Sequence, residues 1–575
     1  MSKYRIGSAL LAACLIASTM LCGCNSGSSG SSGASVSGAS DSGKASSGAH
    51  ASNIAEDGGF TTVDYTYSTD KYRTFYEIFP YSFYDSDGNG KGDINGITEK
   101  LDYLNDGDPK TTDDLGIDGI WLTPIMKSPS YHKYDVADYY TVDELFGTND
   151  DFKKLLDEAH KRSINVIIDL VVNHSSNKNE WFLKAIEELK EGKTDGYAQY
   201  YHFEENKNVD GWTHSGVGDW YYESDFVSSM PDLNLKNPEL RAELEKVMKY
   251  WLDMGVDGFR LDAVMWFESG ESGVKGTHDH DGSIEDLKWL YDYAKTVKPD
   301  VYMVGECWDS AATIVDYYKS GLDSFFNFGT EGVSGKVNLY VNAEDAKSYV
   351  EYVSTWQDQI KNKNPDAIDA KFLSNHDTNR SVAFLMNKTK MRLAAAMYMI
   401  APGSPFIYYG EEIEMEGYER DPDRRRGMIW SLDDDKGYVK KIPDGTKMED
   451  EPTISVETAQ KDKDSLLNFY KRVIALRNQN PEIARGELKT VTFDTDAAAG
   501  YVCTYNGSSV LVIFNLGEKQ AKVKIPEDAM KVSEVRGYLL AHCKSDYADS
   551  AEYDETIKLD GQELTMPAHS VMVLK

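Results

Sequence analysis

The sequence predicts an α/β fold: a parallel (β/α)8 barrel of the TIM type, with a subdomain inserted after its third strand and a C-terminal antiparallel β-sandwich. Three observations carry that prediction. Short apolar runs alternate with longer amphipathic stretches across residues 74–430, as expected for a parallel sheet with helical crossovers. Acidic residues recur where the apolar runs 254–259, 301–304 and 370–373 end, and a barrel opens its site at the C-terminal ends of its strands. The alternation breaks between residues 174 and 230 and again beyond 430, which sets off two further units.

The elements follow in chain order. Residues 117–122 read as a strand, and 149–162 as a helix with Phe152, Leu155, Leu156 and Ala159 on one face. Residues 166–172 are a strand again and 238–254 a second amphipathic helix. The break holds Trp181, Trp212, Trp220, Tyr221 and Tyr222 among Asp, Gly and Ser, which suits a small subdomain beside a cleft. Past the barrel, 465–478 reads as a helix and 501–505, 509–514 and 522–525 as strands of the sandwich. The expected boundaries are 61–434 for the barrel, with 175–232 inserted, and 435–575 for the sandwich.

The first 60 residues belong to targeting rather than to fold. Lys3 and Arg5 precede an apolar stretch at 8–21 of signal-peptide length. That stretch ends in Leu21-Cys22-Gly23-Cys24, which resembles a bacterial lipobox and implies lipidation of Cys24 after removal of residues 1–23. A Ser/Gly/Ala-rich tether occupies 24–60. The expected location is the outer face of the cytoplasmic membrane or the cell surface, held by lipid alone; a secreted form is the alternative.

Among 575 residues, 41% are hydrophobic, enough for two or three packed units. The formal net charge of -34 repels phosphate backbones, so nucleic acid is excluded as a partner and a neutral substrate is favoured. A monomer is expected. Of six cysteines, Cys503 and Cys543 share the C-terminal region, where a disulfide or two buried thiols fit equally well.

Asp262, Glu306 and Asp377 end three strand-like runs. Two carboxyls about 5 Å apart are what a retaining glycosidase needs, one as nucleophile and one as proton donor. Arg260, two residues before Asp262 on the same strand, faces the same side and supplies its counter-charge. Glu306 must carry a proton near neutral pH, and neighbouring negative charge favours that.

Together these segments resemble the α-amylase family, glycoside hydrolase family 13. The likeness covers the chain from about residue 74 onward. It rests on Asp169-Leu170-Val171-Val172-Asn173-His174 for the third strand, residues 258–263 for the fourth, 305–308 for the fifth and 372–377 for the seventh. Residues 116–124 and 403–411 are similar to the second- and eighth-strand motifs. The resemblance implies Asp262 as nucleophile, Glu306 as general acid/base and Asp377 as the carboxylate that holds sugar hydroxyls. It implies substrate contacts from His132, Tyr134, His174, Arg260, His376, Asp421 and Arg425. The substrate implied is an α-glucan, and Tyr131, where enzymes trimming single glucose units often have Asp, implies internal α-1,4 cleavage. The rivals are an oligo-1,6-glucosidase, a neopullulanase-like enzyme, a transglycosylase, or an inactive glycan receptor on the same fold.

Met230-Pro231-Asp232-Leu233-Asn234 is similar to the subgroup between oligo-1,6-glucosidases and neopullulanases. Many family members have Lys-His where this chain has Met265-Trp266, so the usual interdomain calcium is in doubt and the leaving-group side differs. Trp266 could stack on sugar or pack in the core. A structural Ca2+ is instead expected in 85–93, where Asp85, Asp87, Asn89 and Asp93 would ligate by side chain and Lys91 by its carbonyl. The run follows an EF-hand loop, although Gly96 stands where the bidentate Glu belongs. It also resembles the first-strand calcium loop of oligo-1,6-glucosidases.

Overall fold

The computed structural model describes residues 67–270, 275–446, 452–547 and 553–575; Cys24, the signal segment and the tether lie outside them. Eight parallel strands form one sheet: β1 (Phe75–Ile78), β2 (Gly119–Leu122), β3 (Asn165–Leu170), β4 (Gly258–Leu261), β5 (Tyr302–Gly305), β6 (Ser324–Phe326), β7 (Ile368–Ala370) and β8 (Phe406–Tyr408). They pair in the order β7-β6-β5-β4-β3-β2-β1-β8. The seam between β7 and β8 is closed by Phe406 N–H donating to Lys371 O at 2.8 Å and Ser404 N–H to Asp369 O at 2.7 Å. The sheet is therefore the expected barrel.

Strand periodicity explains the two-sided burial. In β2, Trp121 points into the barrel with Phe75, Ile167, Tyr302, Val304 and Phe406, while Ile120 and Leu122 pack outward against the helices. Both faces are apolar, so the strands read as continuous hydrophobic runs rather than alternating ones. The same two-residue step carries the inward face from Phe75 to Glu77, from Ile167 to Asp169 and from Val304 to Glu306. The charged layer of the site is the top layer of the barrel interior.

The helix Asn149–Lys161 starts at a Thr148/Asp151 capping box and buries Phe152, Leu155, Leu156 and Ala159, as the sequence predicts. Between β3 and the helix Pro238–Met254 lies the inserted subdomain, with a helix Glu180–Lys190 and strands Phe203–Glu205, Trp220–Glu223 and Trp212–His214. Bridges His174↔Asp232 and Tyr201↔Leu233 pin its ends together.

The sandwich begins later than residue 435. Helix Leu466–Asn478 still belongs to the barrel, because its buried face packs on helix Lys388–Met399. The first sandwich strand is Glu487–Val491, in a five-stranded antiparallel sheet that faces a three-stranded one. Tyr501, Val512 and Phe514 join the barrel's hydrophobic core, while Val502, Leu511 and Ile513 line the sandwich interior. Cys503 and Cys543 are buried free thiols rather than a disulfide.

Candidate active site

Arg260 organises the site. Its Nη1 donates to Asp169 Oδ1 at 2.5 Å and to Asp262 Oδ1 at 2.6 Å. Its Nη2 lies 2.9 Å from Glu306 Oε2. The guanidinium is fully buried, so each contact is a charge-assisted hydrogen bond shielded from water. Ala263, at φ 49°, turns the chain after Asp262 and donates its N–H to Glu306 Oε2 at 3.0 Å. One guanidinium thus spans Asp262 and Glu306 and draws the two carboxyls together.

The third acid is held apart from that hub. Asp377 receives Arg425 Nη2 at 2.6 Å and lies 2.9 Å from His376 Nε2. Tyr134 Oη is 2.7 Å from the same nitrogen, and the Tyr134 ring stacks on His376 with centroids 5.6 Å apart.

Charge states follow from burial and neighbours. Burial raises Glu306 most; Asp262 and Asp377 add to that against Arg260, and its carboxyl reaches about 7. Burial would also raise Asp377, but His376 and Arg425 outweigh it and hold the carboxyl well below the usual range. Burial alone would lower His376, yet Asp377 and Glu77 raise it to about 10. Burial lowers His132 to about 4 and also depresses His174, so both rings are neutral at neutral pH.

A cleft of about 440 Å³ opens over these groups, lined by His132, Tyr134, His174, Asp262, Glu306, Asp377, Asp421 and Arg425. His174 Nδ1 lies 3.2 Å from Asn173 Nδ2, an arrangement that leaves the proton on Nε2. That Nε2 has no protein partner, as suits a donor to a sugar hydroxyl. Two expected substrate contacts differ from the sequence reading: Arg260 and His376 are both 0% exposed and act on carboxylates and Tyr134 rather than lining the cleft. Arg425 is also nearly buried, and holds Asp377 and Tyr131 Oη (3.2 Å) while reaching the cleft edge.

Trp266 is partly buried, packing against the core by one side. It lines the cleft, with Phe226 at 5.2 Å between ring centroids, and His278 stands edge-on behind it at 4.3 Å. Trp308 is 51% exposed on the same cleft and stacks on Phe328. The sequence reading missed Glu77, whose Oε1 lies 2.6 Å from His376 Nδ1. Its only signal was an acid inside the apolar run of β1.

In 85–93, Asp85, Asp87 and Asp93 bring carboxylate oxygens within 4.8 Å of one another. Gly88 (φ 79°) and Gly90 (φ 88°) take the left-handed turns that fold the loop back. Asn89 Oδ1 accepts from Lys91 N–H at 2.9 Å, and Asp93 also caps the following helix through Gly96 N–H at 2.8 Å. Asp232 accepts from Asn173 Nδ2 at 3.3 Å and from Asp225 N–H at 2.8 Å. Burial first, then the charges of Glu223 and Asp225, push its carboxyl well above the usual range.

The family model "Alpha amylase, catalytic domain" matches residues 77–486, which contain every side chain of this site. The chain belongs to the α-amylase family. Its membership of glycoside hydrolase family 13 makes it a glycosidase. Alpha-amylase 3 of Dictyoglomus thermophilum is 36% identical over 476 residues, spanning 80% of this chain and 87% of that protein. Oligo-1,6-glucosidase of Parageobacillus thermoglucosidasius is 29% identical over 529 residues, 79% of this chain and 91% of that protein. Among solved structures, Eubacterium rectale Amy13B superposes with a TM-score of 0.80 at 39% identity, covering 89% of this chain and 97% of that one. The α-amylase from H. orenii gives 0.73 at 37% identity, covering 87% and 99%. The relatives' names divide over the linkage.

Proposed function

We propose that this glycosidase is an endo-acting α-amylase that cleaves internal α-1,4-glucosidic bonds of starch, glycogen or maltooligosaccharides with retention. Glu306 protonates the glycosidic oxygen while Asp262 attacks the anomeric carbon, and Asp377 holds the hydroxyls of the sugar being distorted. Glu306 then takes a proton from the water that releases the glycosyl-enzyme. The observation that carries the reading is Tyr131. Its hydroxyl is tied at 3.2 Å to Arg425, which itself lines the cleft, so an aromatic side chain stands behind the cleft edge where a chain-end enzyme would grip terminal hydroxyls with an acid. Trp266, Phe226 and Trp308 supply apolar faces for further sugar rings on the same cleft.

A Ca2+ held by Asp85, Asp87 and Asp93, with Asn89 and Lys91 completing its shell, would neutralise three gathered carboxylates and stiffen the loop after β1; its role is structural. Lipidation at Cys24 would place the enzyme outside the cytoplasmic membrane.

Starch, pullulan and isomaltose are offered separately to the purified enzyme, and products are resolved over time. Rapid loss of iodine staining with mixed maltooligosaccharides is expected. Glucose released from isomaltose with starch untouched would overturn the reading in favour of 1,6-cleavage.

A further inference from the structure

Glu77 touches neither the cleft nor any residue assigned to the reaction except one. It points from β1 into the barrel, 1% exposed, and its Oε1 accepts from the His376 backbone N–H at 3.3 Å besides its 2.6 Å contact with Nδ1. His376 passes the contact on to Asp377 Oδ2 at 2.9 Å, and Asp377 Oδ1 meets Arg425 Nη2 at 2.6 Å. Glu77, His376, Asp377 and Arg425 therefore form a chain of alternating charge from β1, across the loop after β7, to the late loop. An ionised carboxylate only accepts hydrogen bonds, so a carboxylate at each ring nitrogen requires an N–H on each. The ring that satisfies both is the imidazolium.

The remaining neighbours fit that state. Tyr134 Oη, 2.7 Å from Nε2, accepts from the same N–H and turns its own proton toward Asp169 Oδ2 at 3.4 Å. Arg260 Nη1 approaches Tyr134 Oη at 3.4 Å, and Arg425 Nε donates to the His376 carbonyl at 3.0 Å. The Trp121 ring closes the other side, edge-on at 5.6 Å.

We propose that Glu77 is a positioning residue: it holds His376 as a fixed imidazolium and, through it, keeps Asp377 ionised and Tyr134 aligned over the sugar. Without the Glu77 charge only Asp377 opposes the burial of His376, and the ring gives up its proton at a lower pH. Nε2 would then fail to donate to Asp377 or to Tyr134, and Asp377 would depend on Arg425 alone. The effect is the same whichever α-glucosidic linkage is cut, so it stands apart from the linkage reading above.

The test is Glu77→Gln, which preserves shape and an acceptor while removing the charge. Histidine-selective 13C labelling, with the His376 signal assigned by its loss in His376→Gln, follows the ring from pH 5 to 9. In the parent enzyme His376 should stay protonated throughout; in E77Q it should titrate inside that range. The ratio of kcat/KM between E77Q and parent, on a maltooligosaccharide, cancels the shared titration of Glu306. That ratio should fall roughly 10- to 100-fold above the new midpoint, the scale of a misplaced substrate-holding group, and recover as pH drops. A merely structural loss would not recover with acid. A parent His376 that titrates near pH 6.5 overturns the proposal, and that measurement decides alone if E77Q does not fold. So does an E77Q whose His376 stays charged or whose pH profile matches the parent.

Discussion

Replacing Glu306 by Gln should leave the fold intact, remove activity and make the protein more stable at alkaline pH. The size follows from the site. Burial is the main force raising the Glu306 carboxyl from 4.5 to about 7, and each unit corresponds to 1.36 kcal/mol, so ionising it in place costs about 3 kcal/mol. The folded value lies above the unfolded one. The folded protein therefore binds more protons through that window, and stability falls as pH rises through it. The penalty is absent below 4.5 and complete above 7. Gln escapes it. Scanning calorimetry of parent and E306Q from pH 4.5 to 8 should show a gap near zero at the acid end, growing toward about 3 kcal/mol at the other. A gap that is flat with pH, or largest in acid, refutes the argument. The same shift has a kinetic side. At pH 7 about half of Glu306 is protonated, against roughly 0.3% for an ordinary Glu, a gain of order 100-fold in available acid. E306Q should lose about 10²- to 10⁴-fold in bond cleavage, and α-glucosyl fluoride, whose leaving group needs no proton, should recover the first step.

Arg260→Ala strands Asp169, Asp262 and Glu306 without their shared cation; denaturant unfolding should show a loss of about 3–5 kcal/mol, and product analysis no turnover. Trp266→Ala removes a stacking face worth roughly 1 kcal/mol, so KM for long maltooligosaccharides should rise several-fold while the shortest substrates change little; equal effects on both would place Trp266 outside the sugar path. A chelator should lower the melting temperature and added Ca2+ restore it, a response that Asp85→Ala should abolish.

Much of this site was legible because strand periodicity is rigid. Once Phe259 and Leu261 are assigned to the outward face of β4, Arg260 and Asp262 must point inward, and the same step places Asp169 and Glu306. Helix 149–161 was legible because its four buried apolar residues sit on one stripe. The sandwich boundary was not, since the helix Leu466–Asn478 reads as amphipathic wherever it packs, and only its partner Lys388–Met399 assigns it to the barrel. Nor was the burial of Arg260 and His376. A motif names which side chains gather at a site, but which of them reach the cleft depends on residues hundreds of positions away, such as Glu77 beneath His376.

One carboxyl must serve as acid and then as base, and the charge layout explains how Glu306 manages both within the retaining reaction proposed above. In the free enzyme Asp262 is one of the charges that keep Glu306 protonated. Attack on the anomeric carbon turns Asp262 into an uncharged ester, so that charge vanishes at the moment Glu306 gives up its proton. Arg260 loses the charge of Asp262 in the same step, leaving Nη2, 2.9 Å from Glu306, to pair with the new carboxylate. Both changes favour ionised Glu306. The base that the second step needs is thus produced by the first. When water releases the sugar, the Asp262 charge returns and Glu306 is driven to take up the proton that water surrenders. The buried hub of Arg260 is therefore more than a structural clamp: because its cation is shared, the charge lost by one carboxylate is felt by the other.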